Sequence, residues 1–240
     1  MTAKTIGKLT PLHQQPAPLR NKIIAALRSA IETGLLQPGA RLVERDLCEQ
    51  LAVSRTSLRE ALRELQAIGV LTQTENRGLA VVVPTAEDAG NAYRLRAVVE
   101  ALTVEQFIER ADDAQHDQLA ADGLALKKAY LSGSVERILR CKRQFYDCIC
   151  AGANNDLALD IISRLVLRTS SLRSRSLARK ERQEQSAKEI DAILNAIRGK
   201  NVIAAKAAAT IHVENAARSA LGMPETPGGH GNVRKRRTAV

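Results

Sequence analysis

Residues 51–69 read L-A-V-S-R-T-S-L-R-E-A-L-R-E-L-Q-A-I-G, and the fold turns on them. Ala52-Val53-Ser54 is a short turn, and Ser54 suits the N-cap of a helix running from Arg55 to Ile68. Leu58, Leu62 and Leu65 share one face of that helix, with Ala61 and Ile68 beside them. Arg55, Arg59 and Arg63 recur at every fourth position on another face. Gly69 stops the helix.

Upstream, Leu19 to Ile31 carries apolar residues at 19, 23, 24, 27 and 31, an amphipathic helix ended by Gly34 and the Pro38-Gly39 turn. Glu44 to Leu51 reads as a short second helix with Leu47 and Leu51 inward. Downstream, Val70-Leu71-Thr72 and Leu79 to Val83 read as two short strands around a Glu75-Asn76-Arg77-Gly78 tip. Helix, short helix, turn, arginine-bearing helix and hairpin make a winged helix-turn-helix. Such a helix can lie in the major groove of duplex DNA, where arginine makes bidentate contacts to guanine. By spacing alone, the alternative is a solvated face on which Arg55, Arg59 and Arg63 pair with Glu60 and Glu64.

The ordered motifs I-x-x-G-x-L-x-P-G-A-R-L-V-E-R-D-L, L-A-V-S-R-T-S-L-R-E-A-L-R-E-L, G-V-L and N-R-G-L-A-V within residues 31–83 closely resemble the DNA-binding domain of the GntR family of bacterial transcription regulators. Ser57 departs from the proline common there, a residue that only pre-organises the first helical turn. The resemblance implies DNA contacts at Arg45, Ser54, Arg55, Thr56, Arg59, Arg77 and Gly78. Arg55 and Arg59 fall where base edges are read, Ser54 and Thr56 where phosphates are held, and Arg77 and Gly78 at the wing tip.

Beyond the Val83-Pro84-Thr85 joint, Thr85 can cap a helix and amphipathic patterns follow one another. We read about six helices, 86–111, 114–131, 134–152, 154–179, 181–199 and 201–221, forming an antiparallel all-α bundle. The fold class is thus mainly α, with a small β-hairpin wing. The domains are an N-terminal arm at 1–17, the winged helix-turn-helix at 18–84, the bundle at 85–222, and a basic tail at 223–240 too poor in apolar groups to order itself. The segment Y-R-L-R-A-V-V-E-A-L-T-V-E at 93–105, with C-K-R-Q-F-Y-D-C-I-C-A-G-A-N-N at 141–155 and A-A-T-I-H-V at 208–213, resembles the FCD effector domain of the FadR branch, in its smaller VanR-like form. That resemblance implies a homodimer and a small-molecule effector.

Many FCD domains hold a divalent metal with one Asp and three His. Here the Asp position falls on Lys142, the first His position on Tyr146 and the next on Ile190; the last is kept as His212. No metal or other cofactor is expected from that set. Lys142, Tyr146 and His212, with Arg96 on the opening helix, are instead candidates to hold an anionic, carboxylate-type effector. The alternative is a solvent-facing Lys142 beside two satisfied core residues. Arg164, Arg168, Arg175, Arg179 and Arg182 would fall within about 60° on one continuous helix, a second stripe for DNA or an anion unless it is a solvated face.

Composition fits this reading. The chain carries 36 Lys+Arg against 26 Asp+Glu, net +10. The excess is spread at +4, +3 and +3 over residues 1–85, 86–222 and 223–240, so placed arginines rather than bulk charge point to DNA. Three Tyr, two Phe and no Trp argue against single-strand stacking platforms. No apolar signal core opens the chain and no stretch suits a membrane helix, so a cytoplasmic protein is expected. Cys48, Cys141, Cys148 and Cys150 lack zinc-finger spacing. A redox-responsive regulator sensing through Cys141, Cys148 and Cys150 is the second reading, against buried structural cysteines. An enzyme is not expected, because the chain has no nucleophile–base motif or phosphate-cradling loop. The leading reading is a dimeric, ligand-responsive repressor of a short palindromic operator; an activator is the variant of it.

Overall fold

The computed structural model describes residues 18–74 and 78–223. The expected N-terminal arm at 1–17, the wing-tip residues Glu75, Asn76 and Arg77, and the tail beyond Met223 lie outside the described residues.

Helix α1 (Pro18–Glu32), α2 (Glu44–Leu51) and α3 (Arg55–Ala67) precede the strands β2 (Leu71–Gln73) and β3 (Leu79–Val81). A strand absent from the sequence reading, β1 (Arg41–Leu42), pairs antiparallel with β3, giving the sheet order β1-β3-β2. Two residues are too few to display an alternating pattern, which is why β1 escaped notice. Ser54 caps α3 as expected, its Oγ accepting from the Ser57 N–H at 3.2 Å. Leu58, Ala61, Leu62 and Leu65 are buried against Ile23, Leu27 and Ile31 of α1. These side chains hold the first three helices and the sheet in one core.

The bundle has seven helices among the described residues, not six: α4 (Ala86–Arg110), α5 (Asp113–Ser132), α6 (Val135–Gly152), α7 (Asp156–Arg168), α8 (Ser170–Leu177), α9 (Lys180–Arg198) and α10 (Val202–Leu221). Caps set their limits. Thr85 caps α4, and Asp112 with Gln115 forms a capping box on α5. Asn155 and Asn201 cap α7 and α10. The helix expected at 154–179 breaks at Thr169. Its hydroxyl donates back to the Leu165 and Val166 carbonyls at 3.1 and 3.3 Å, a local bond that competes with helix continuation.

That break aims two side chains differently. Leu167, at the end of α7, is buried in the core of the winged-helix module. Arg173, on α8, is buried beside the bundle interior. The proposed arginine stripe therefore does not exist. Arg164 and Arg168 end on α7, Arg175 lies on α8, and Arg182 is buried on α9.

Candidate functional site

The outer face of α3 is polar throughout its first turns. Arg55, Thr56 and Arg59 are exposed while Leu58 is fully buried. Arg59 Nε donates to Glu44 Oε2 at 2.8 Å, and Arg45 Nε to Asp46 Oδ1 at 3.2 Å. Both are exposed ion pairs, which contribute little, roughly 0–1 kcal/mol, so either arginine can exchange its partner for a phosphate or a base. The Ser54 hydroxyl is committed to its cap and to Ser57 Oγ at 3.0 Å. At the wing, the Thr74 N–H and hydroxyl donate to the Gly78 carbonyl at 2.8 and 3.2 Å. A Cβ on Gly78 would stand 3.3 Å from Arg41 Nε. Arg41 of β1 thus brings a cation to the wing base, unseen in the sequence because its strand was unseen. Arg77 lies outside the described residues.

The four candidate effector residues come together inside the bundle. Arg96, Lys142, Tyr146 and His212 are all buried. Lys142 Nζ lies 2.8 Å from His212 Nε2 and 5.8 Å from the Tyr146 ring centre. Lys142 is therefore not the solvent-facing lysine that was the alternative. His212 Nδ1 lies 2.6 Å from Glu189 Oε2. Glu189 also receives both terminal nitrogens of Arg182, at 2.9 and 2.8 Å, and Asn215 Nδ2 at 2.7 Å. Arg96 pairs with Glu100 one turn along α4 and lies 5.4 Å from the Tyr93 ring centre.

Burial and neighbouring charge decide the protonation states. Burial lowers the His212 pKa, and Lys142 lowers it further against Glu189, to about 3. The imidazole is therefore neutral near pH 7. Its neighbours fix the tautomer: Nδ1–H donates to Glu189, and Nε2 accepts from Lys142. Burial opposes the Glu189 charge, but hydrogen bonds from His212 and Arg182 outweigh it and hold the carboxyl at about 2. Burial opposes the Glu100 charge as well, and Arg96 then Lys142 overcome it, lowering its pKa. Burial, then the Arg173 and Arg96 charges, push Lys142 well below the usual lysine value. Arg96 Nη2 and Arg173 Nε have no hydrogen-bond partner among the described residues, while the Tyr146 hydroxyl lies against the Glu100 carboxylate.

This donor set does not suit a divalent metal. The single imidazole has one nitrogen on Glu189 and the other on Lys142, and the surrounding arginines would repel a second cation. No group of three His, Cys, Asp or Glu is placed to hold an ion among the described residues. Ile190, at the second His position, is fully buried in the apolar core; its neighbour Glu189 faces the network instead. Sequence reasoning missed Glu100, Arg173 and Glu189, and placed Arg182 on an arginine stripe rather than in this network. The available signal was weak: a Glu four residues after Arg96, and acidic and basic residues recurring on α9 at the faces that also carry Ser186 and Ile193.

Cys148 and Cys150 are poor thiolates. Burial raises Cys148 to about 11, with Asp122 adding to it. Burial and then Glu100 raise Cys150 to about 12. Cys141 is buried and Cys48 partly so.

The fold and site define a two-domain protein: a winged helix-turn-helix joined to an all-helical bundle with a charged interior. Residues 19–81 match the family model described as bacterial regulatory proteins, gntR family, and residues 91–215 match the FCD domain. The chain belongs to the GntR family, in its FCD-bearing branch. It is 29% identical over 142 residues to the uncharacterized HTH-type transcriptional regulator YdhC of Bacillus subtilis, a match covering 59% of this chain and 63% of that relative, just under two thirds of its length. The structure of Escherichia coli McbR/YncC matches with a TM-score of 0.73 at 22% identity, over 82% of this chain and 93% of that one. A putative GntR transcriptional regulator from Rhodococcus sp. RHA1 matches with a TM-score of 0.71 at 26% identity, over 86% and 99%. No helix among the described residues is long and apolar enough to cross a membrane.

Proposed function

We propose that the protein is a cytoplasmic DNA-binding transcription regulator that binds a short palindromic operator as a homodimer and is released by a small carboxylate-type effector. The observation that carries the DNA half is α3 itself, which buries its leucines and exposes Arg55, Thr56 and Arg59 beside Arg45. In the proposed complex Arg55 and Arg59 read base edges, Ser54 and Thr56 approach phosphates, and Arg77 and Gly78 carry the wing to the backbone. Repression is the expected sense of regulation.

Dimerisation is supported by Leu95, Val98 and Leu102, exposed at 3–4 spacing along α4. A seam of this kind is what a second copy would cover. The effector half is supported by Lys142 and Arg173, two buried basic side chains that form no ion pair among the described residues, Glu100 and Glu189 being paired with Arg96 and Arg182. In the proposed site Arg96, Lys142, Tyr146 and His212 surround the acid group, and Lys142 supplies the positive charge with no metal and no other cofactor. The thiol-sensing alternative has the raised Cys148 and Cys150 values against it.

Footprinting upstream of the protein's own gene tests the DNA half, comparing wild type with Arg59→Ala. The variant should lose roughly 1–3 kcal/mol of specific binding. An unchanged footprint and affinity would sink the assignment of α3 as the recognition helix.

A further inference from the structure

Helix α1 of the winged-helix domain and helices α6, α7 and α8 of the bundle line a partly open cavity of about 40 Å³. Its charged lining is Arg28 and Glu32 from α1, Lys142, Arg143 and Asp147 from α6, and Arg173 from α8. Four cations thus meet two carboxylates. The Nε atoms of Arg28 and Arg173 are both buried and have no partner among the described residues, and the Arg173 side chain as a whole is only 8% exposed. Tyr146 lines the same space, its hydroxyl set against the Glu100 carboxylate. The cations also crowd one another. Burial and then Arg143 lower the Arg28 pKa, and burial and then Arg173 lower that of Lys142.

We propose that one carboxylate group, or an oxyanion of similar size, is held in this cavity by both domains at once, through Arg28 on α1 and through Lys142 and Arg173 on the bundle. This rests on the effector reading above and names the part of the site that the DNA-binding domain supplies. A water needs roughly 10–15 Å³ of such space, so the cavity takes the acid head of a ligand rather than a whole metabolite. The ion neutralises cations that the protein leaves unmatched and accepts from donors otherwise unsatisfied.

The position of Arg28 gives the site its consequence. Leu27 and Ile31, flanking it on α1, pack in one core with Leu58 and Leu62 of α3. An anion on Arg28 therefore acts on the helix against which the recognition helix is packed. It also competes with Glu32, one turn along α1, with Asp147 and with Asp160 on α7, the carboxylates that now attract Arg28.

The test uses the full chain, with acetate, malonate, succinate and inorganic phosphate as probes, read by calorimetry and by operator affinity with and without probe. At least one probe should bind wild type and change its operator affinity. Arg28→Gln should weaken that probe on the order of tenfold to a hundredfold, and Arg28→Lys should recover part of the loss. Wild-type binding by Arg28→Gln, with weakened binding by Lys142→Met, would overturn the two-domain site and leave the bundle site standing. Failure of every probe to bind wild type would overturn both. Should Arg28→Gln not fold, Glu32→Gln decides: it removes a competing carboxylate and should bind the probe several-fold more tightly, and binding no tighter than wild type would refute the proposal.

Discussion

The neutral, buried His212 makes the fold sensitive to mild acid by a calculable amount. In the unfolded chain its pKa is the ordinary 6.5, and in the folded protein it is held at about 3. The sign follows from proton binding: below pH 6.5 the unfolded state takes up a proton that the folded state refuses. Stability is therefore present above 6.5 and falls as the pH drops toward 3. Between pH 7 and pH 5 the loss from this one group is roughly 2 kcal/mol, and any folded value below about 4 gives the same result. In a chain of this size that corresponds to roughly 4–8 °C in Tm. Other groups titrate over the same interval, so the assay is a difference. Denaturant unfolding of wild type and of His212→Gln would be followed at pH 7, 6 and 5. Glutamine can accept from Lys142 and donate to Glu189 without titrating. The wild-type stability should fall by roughly 2 kcal/mol more than the variant's across that range. Parallel curves would refute the neutral imidazole and the tautomer derived from it.

Three further outcomes follow from packing and charge. A Cβ on Gly152 would sit 2.4 Å from Cε2 of the fully buried Phe107, so Gly152→Ala should destabilise by about 1–3 kcal/mol despite the better helix propensity of alanine; a raised melting temperature would contradict this. Leu167→Ala should cost about 2–5 kcal/mol and should loosen the winged-helix core rather than the bundle core, measured by hydrogen exchange in α1 and α3; protection lost only in the bundle would show the contact misjudged. Cys148 and Cys150, with pKa values near 11 and 12, should react with a thiol reagent at pH 8 on the order of a hundredfold and a thousandfold more slowly, respectively, than a free cysteine; rapid labelling of either in the folded protein would revive the thiol-sensing reading.

The DNA-facing half was legible because its information is local. A cap, a leucine seam, an arginine every fourth residue and a glycine at the closing turn lie between Ser54 and Gly69, and each has a short-range physical cause. The sheet was less so: β1 exists because β3 offers it a partner, not because Arg41-Leu42 has strand character. In the bundle, helix periodicity survived but the break at Thr169 did not register, since one hydroxyl bonding back to its own helix leaves the apolar pattern intact on both sides. The buried network was half legible. Arg96, Lys142, Tyr146 and His212 were reached only through departures from a family pattern. Their partners Glu189 and Arg182 come from a helix on which charged residues look solvated until α10 is packed against it. An inward polar residue such as His212 carries no periodic signature, because its side-chain partners Glu189 and Lys142 are 23 and 70 positions away.

Charge matching inside the bundle explains why a lysine can stand where the family pattern has a metal ligand. Arg96 with Glu100, and Arg182 with Glu189, each cancel at close range. His212 is neutral and contributes only hydrogen bonds. The remaining basic side chains are Lys142 and Arg173, on different helices, and the Arg173 charge adds to burial in lowering the Lys142 pKa. A divalent ion placed among them would add to that repulsion and would have to take His212 Nε2 from Lys142. An anion would do the reverse on both counts, since it lowers the repulsion and leaves the imidazole bond in place. The same residues that make the site unfit for a metal therefore support the carboxylate proposed for it. Because Lys142 and Arg173 also line the cavity reached by Arg28, the unmatched charge lies at the boundary with the DNA-binding domain rather than in the bundle's centre.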